Sequence, residues 1–186
     1  MKRHAPWLCT VLLVASCAGN RPAPDAQTPS IAVLPFESVG PGEESGRVIT
    51  RLFQNLLATQ SNVQVADAGA VEDALIRLRI RVPVLATREQ LDSLKAAIGC
   101  NYLLTGSVFT YGTREQPYAG KVGVVSMAVQ VVRLEDGKLV WGKTVSRQGS
   151  DGQWLFGLGT QHDPAVLAES MCRKLLSEIP WRRLAR

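Results

Sequence analysis

The chain has 186 residues, 46% of them hydrophobic and 20% charged, with a formal net charge of +5. That length fits one domain with a sizeable core, and the charge excess is too modest to demand a nucleic-acid partner. No segment reaches the roughly 18 consecutive apolar residues expected of a transmembrane helix.

The chain opens Met1-Lys2-Arg3, follows with an apolar run from Trp7 to Ala15, and closes that run with Val14-Ala15-Ser16-Cys17. A charged start, a short apolar stretch and small residues are the parts of a secretory signal. The ending Val-Ala-Ser-Cys resembles the bacterial lipobox. That resemblance implies a signal peptide over residues 1–16, cleavage before Cys17, and lipid on the Cys17 sulfur and new amine. An ordinary signal with a chance cysteine is the other reading. Residues 17–30 then form a tether, with Pro22, Pro24 and Pro29 among small and polar residues. Ala18 stands where an aspartate would resemble an inner-membrane retention signal, so the outer membrane is the expected address, with the domain in the periplasm.

Ile31 to Phe36 is a short apolar run, read as a buried strand that weakens at Pro35. Gly40-Pro41-Gly42 is a loop. From about Ser45, Val48, Leu52 and Leu56 with Ile49, Phe53 and Leu57 form one apolar helical stripe. Val63-Gln64-Val65 is a second strand. Asp67 is placed to cap a helix whose apolar face is Val71, Leu75 and Leu78. After the break at Val82-Pro83-Val84, Thr87-Arg88-Glu89-Gln90 has the form of a capping box, and Gly99 is placed to close that helix.

Tyr102 to Tyr111 is strand-like. Val122 to Leu134 and Leu139 to Arg147 flank Glu135-Asp136-Gly137-Lys138, a strong hairpin signal. Val125, Met127, Val129 and Val131 alternate with small and polar residues, so one face of that strand is expected to be core. Asp163-Pro164 starts a last helix with Leu167, Met171 and Leu175 as its buried stripe, and Pro180 ends it. The expected fold is α/β: a mixed-sheet α/β sandwich over residues 31–180 with helices covering the sheet, followed by a basic tail at 181–186.

The inventory for chemistry is poor. His162 is the one histidine beyond the signal and stands beside Asp163, which the helix start explains. No CxxC or HExxH ligand spacing occurs, so no metal, cofactor or catalytic residue is assigned and a non-enzymatic protein is expected. Gly40, Gly42 and Gly46 lack the spacing and the lysine of a phosphate loop. Cys100 and Cys172 stand at apolar positions. An oxidising compartment permits a disulfide between them, and two buried free thiols are the alternative. Trp154, Leu155 and Phe156 lie in a glycine-rich stretch, where they either present a partner-binding surface or fold back over the sheet edge. The basic tail with Trp181 either meets lipid headgroups or an acidic partner, or ends the chain in solvent.

Two segments carry a resemblance to a known group. Ile31-Ala32-Val33-Leu34-Pro35-Phe36-Glu37 resembles the VAVLPFEN opening strand of curli-assembly (CsgG-like) lipoproteins. Ile98-Gly99-Cys100-Asn101-Tyr102-Leu103-Leu104-Thr105-Gly106-Ser107-Val108 resembles their LGADYLLTGSV segment. Similar motifs occur in activators of peptidoglycan synthases and in the N-terminal domain of TolB-type proteins. The resemblance spans roughly residues 31–147. It implies an α/β domain acting as an assembly or secretion accessory, with an envelope protein as partner and a homo-oligomer in some members. The alternative it carries is an oligomeric outer-membrane secretion-channel subunit of curli type. A transmembrane hairpin needs roughly 20 residues or more, and neither Gly112–Gly120 nor 148–162 supplies them.

Overall fold

The computed structural model describes residues 28–40, 44–81, 86–117, 120–151 and 160–185. Six strands form one mixed sheet: β1 (Ser30–Val33), β2 (Glu37–Ser38), β3 (Gln64–Val65), β4 (Tyr102–Gln116), β5 (Gly120–Arg133) and β6 (Leu139–Gln148). The main order is β3-β1-β4-β5-β6, and β2 pairs with β4 beside β1. β1 runs parallel to β3 and β4, whereas β4, β5 and β6 form an antiparallel meander. The helices are α1 (Ser45–Ala58), α2 (Ala68–Arg77), α3 (Arg88–Ile98), α4 (Pro164–Glu178) and α5 (Trp181–Leu184). The expected mixed-sheet α/β sandwich is the observed architecture.

Side-chain alternation along the strands builds two cores. Ile31 and Val33 of β1, Leu104 and Val108 of β4, and Val125, Met127, Val129 and Val131 of β5 point to one face. There they meet Ile49, Phe53 and Leu57 of α1 and Leu167, Met171 and Leu175 of α4. Burying one side chain the size of Phe53 contributes about 1.5–3 kcal/mol. Ala32, Leu34 and Leu103 point the other way and meet Val71, Ala74 and Leu75 of α2 and Leu94 of α3.

The helix starts follow local chemistry. The Asp67 carboxylate accepts from the Ala70 N–H at 2.9 Å. Thr87 and Gln90 exchange both bonds of a capping box, and Gly99 closes α3 at φ 66°. Asp163 caps α4 through the Ala165 N–H, and Pro164 occupies its first position, where a missing N–H costs nothing.

The two motifs behind the resemblance meet in the fold. Phe36 stacks on Phe53 with ring centroids 5.2 Å apart. A Cβ on Gly106 would lie 2.7 Å from the Phe36 ring and 2.0 Å from the Ala128 carbonyl oxygen, so this position has room for glycine alone.

Three expectations needed correction. β4 continues past Tyr111 to Gln116, because its register with β5 holds from Thr110↔Ser126 out to Gln116↔Gly120. The segment expected as a solvated basic tail folds: Trp181 and Leu184 are buried, and the Trp181 indole N–H donates to the Leu176 carbonyl at 2.9 Å. Tyr102 Oη donates to the Leu184 carbonyl at 3.0 Å, tying α5 to the start of β4. The disulfide option fails on placement, since Cys172 belongs to the α1/α4 core and Cys100 to the α2/α3 core, with the sheet between them. Both thiols are free, and burial pushes them up, Cys100 to about 11 and Cys172 to about 12. Neither thiol should react with a thiolate-trapping reagent in the native protein at neutral pH, and both should react in denaturant without prior reduction. Mass spectrometry of the alkylated chain checks this, and a denatured chain that labels only after reductant would show the bond.

Candidate interaction surface

The layers do not cover the sheet evenly. α1 and α4 pack on one face across β1, β4 and β5. On the opposite face, the core under α2 and α3 includes Ala32, Leu34 and Leu103 but none of Ser126, Ala128 and Gln130 of β5 or Thr144 and Ser146 of β6. These small and polar residues are half-buried or exposed. Among the described residues no helix covers the part of that face formed by Ser126, Ala128, Gln130, Thr144 and Ser146, whereas Val122 and Val124 further along β5 are buried.

β6 is also the end of the sheet among the described residues, and none of the described strands pairs with its outer edge. None of its ten residues is fully buried: Leu139 is 58% exposed, Gly142 to Thr144 are exposed, and Val140, Trp141 and Val145 are half-buried. The Gly149 N–H donates to the Gly123 carbonyl at 2.8 Å. In an antiparallel pair every second residue faces its partner strand, so this bond sets the phase. With the register from Val125↔Arg147 to Val131↔Trp141, the N–H and C=O of Gly142, Thr144 and Ser146 point away from β5. Gln148 is the exception on that edge, since its outward N–H donates to the Asp151 carboxylate at 2.7 Å.

Between β6 and α4 runs a groove of about 280 Å³, floored by Val145, Met171 and Leu175 and rimmed by Lys143, Arg147 and Lys174. Glu178 is the one carboxylate on that rim, and Lys143 Nζ donates to its Oε2 at 2.6 Å. The Lys143 ammonium holds the Glu178 carboxyl below its ordinary range. Three cations against one carboxylate leave the groove positive. A second hollow of about 440 Å³ continues the strip at the start of β6, where Leu139 and Val140 lie beside Arg183 of α5. The tail arginine thus joins the same surface.

The connection from β6 to α4 is pinned at its base. Gln161 N–H donates to the Gly149 carbonyl and Gly123 N–H to the Gln161 carbonyl, at 2.9 and 3.0 Å. A Cβ on Gly149 would lie 1.7 Å from the Gln161 carbonyl oxygen, so only glycine allows the two chain segments to close. His162 Nδ1 donates to the Lys121 carbonyl at 2.6 Å, a structural contact of that same stem. Trp154, Leu155 and Phe156, the sequence-level candidates for partner binding, lie outside the described residues, as does Cys17. Among the described residues no group of three or more His, Cys, Asp and Glu side chains is arranged to hold a metal ion.

The unpaired edge was not visible in the sequence as a site. The available signal was positional: Val140 to Val145 is strand-like and ends a meander, and Asp163-Pro164 marks a helix as the next element read from the sequence.

No protein-family model matches the sequence, and no curated protein matches it at a significant level. Solved structures do match. The PelC dodecamer from Paraburkholderia phytofirmans is 18% identical with a TM-score of 0.52, covering 82% of this chain and 86% of that one. Lipoprotein GNA1162 from Neisseria meningitidis is 20% identical with a TM-score of 0.56, covering 81% and 99%. Protein CT253 from Chlamydia trachomatis is 11% identical with a TM-score of 0.56, covering 85% and 98%. At these identities the likeness establishes the fold and no single family. The chain is a small α/β sandwich resembling the fold of these proteins.

Proposed function

We propose that this chain is a lipid-anchored, non-catalytic accessory of bacterial envelope assembly that works by binding another protein. The observation that carries the reading is the layering of β5 and β6, where the described helices cover one face more than the other. A folded domain whose described residues leave part of a polar sheet face uncovered and the outward groups of Gly142, Thr144 and Ser146 unpaired, with a positive groove beside them, is suited to contact other chains. The lipobox-like ending at Cys17 and the tether supply the anchor, with the outer membrane as its address and the periplasm as the domain's compartment. Trp154, Leu155 and Phe156 fit as apolar contributors, since they lie in the sequence between Gly149 and Gln161, which are bonded to each other at the end of β6. The lipoprotein described from Neisseria meningitidis shares the fold, which supports the compartment.

A second reading, a ring-forming secretion-channel subunit, is favoured by one observation: the similar PelC structure is a dodecamer. It is weakened by the β4–β5 hairpin, whose far end carries Thr113, Arg114, Glu115 and Lys121 in place of an alternating apolar band. Particle size and single-channel conductance of the purified lipoprotein separate the two. The accessory reading expects no conductance, together with a crosslinked heavier species in intact envelopes. Conducting rings without such a species would favour the channel.

A further inference from the structure

We propose that an extended acidic segment of a partner protein adds to the outer edge of β6 as a further strand. This rests on the protein-binding reading above and names the chemistry of the partner. Three separate features of the edge lead to it.

The first is the backbone. Gly142, Thr144 and Ser146 present their N–H and C=O groups outward, and among the described residues no strand receives them. Natural proteins blunt such edges with proline, a bulge or a free lysine. The Gly142–Gln148 stretch of β6 has no proline, its register with β5 is unbroken there, and Lys143 is drawn back onto Glu178.

The second is shape. Side chains of an added strand project alternately to the two faces, with same-face neighbours roughly 7 Å apart. Those on the helix side would lie against the groove floored by Val145 and Leu175. Those on the other side would extend the bare face of Thr144 and Ser146.

The third is charge. Lys143, Val145 and Arg147 share the helix-side face of β6, with Lys174 across the groove and Arg183 further along the strip. The cross-strand complement of cation–apolar–cation is acid–apolar–acid. Anionic lipid headgroups would satisfy the charge, but they supply no ladder of donors and acceptors for the open backbone. A peptide satisfies both.

The probe is an end-blocked, fluorescein-labelled peptide of sequence Thr-Glu-Thr-Val-Thr-Glu-Thr. It reads the same in either direction and places Glu, Val and Glu on one face. Fluorescence anisotropy with the full processed lipoprotein in neutral detergent should show saturable binding, and none with the Lys-for-Glu peptide. Thr144→Pro should weaken binding by about tenfold or more, because proline removes one outward N–H while an edge strand tolerates it. The pair Arg147→Glu and Lys174→Glu should weaken it at least as much. A peptide with its alternate amides methylated keeps the charge and should not bind, which tests the ladder on wild-type protein. No saturable binding of the acidic peptide up to the millimolar range would overturn the proposal. So would binding that survives both Thr144→Pro and amide methylation, with phosphatidylglycerol vesicles competing, which would assign the strip to headgroups. Self-association lost in Thr144→Pro, without peptide binding, would assign the edge to a second copy. The envelope crosslinking above is independent of this peptide, so each reading can fail without the other.

Discussion

Val129→Asp should leave the domain largely unfolded. Val129 is fully buried at the middle of β5, paired with Gly106 on one side and Lys143 on the other, and it faces the core under α1 and α4. Its neighbours in that cluster are apolar, and Lys143, its cross-strand neighbour, is already paired with Glu178. Burying an uncompensated charge costs about 4 kcal/mol, a large part of the roughly 5–15 kcal/mol that holds a domain together. Thr144→Asp, on the same sheet but exposed, should change stability by less than about 0.5 kcal/mol. Thermal denaturation followed by circular dichroism reads both. A Val129→Asp variant melting with the wild type would mean that β5 presents its other face to the core.

Cys17→Ser should abolish lipid attachment and halt processing. Lipid attachment through a thioether needs the sulfur, and hydroxyl replacement removes it. One acyl chain holds a protein only marginally, whereas several together anchor it stably, so the modification is what keeps the processed protein on the membrane. Metabolic labelling with a fatty acid and fractionation of the envelope should show label and membrane association in the wild type. The variant should lack the label and accumulate as the larger, unprocessed precursor. An unlabelled, soluble wild-type protein would remove the anchor from the account and leave the domain's binding surface to stand alone.

The sequence was informative where a local interaction decides the structure. Thr87 and Gln90, Asp67, and Asp163 with Pro164 mark helix starts because the cap bonds are made within a few residues. The alternation of Val125, Met127, Val129 and Val131 gave the buried face of β5 directly. It was less informative where distant pairing decides. Thr113, Arg114 and Glu115 have the composition of a loop, yet they stay in β4 because β5 supplies their ladder. Glu37 and Ser38 form β2 only through β4, and the Ser38 hydroxyl accepts from the Gly46 N–H at the start of α1. Trp181 was hidden among arginines, and its burial depends on the Leu176 carbonyl standing free at the end of α4. The candidate surface was the least legible part. Which strand ends a sheet, and which face a helix leaves bare, follow from strand order, and strand order is a property of the whole chain.

The central claim is that this domain binds a protein through the β6 side of its sheet. The most direct test places a photo-crosslinking amino acid at Ser146 in cells and, separately, at Glu72 on α2, away from that edge. The account predicts a discrete heavier species on illumination from Ser146, weakened by Arg147→Glu with Lys174→Glu, and only background from Glu72. Equal background at both positions, with the protein folded and at normal abundance, would contradict it.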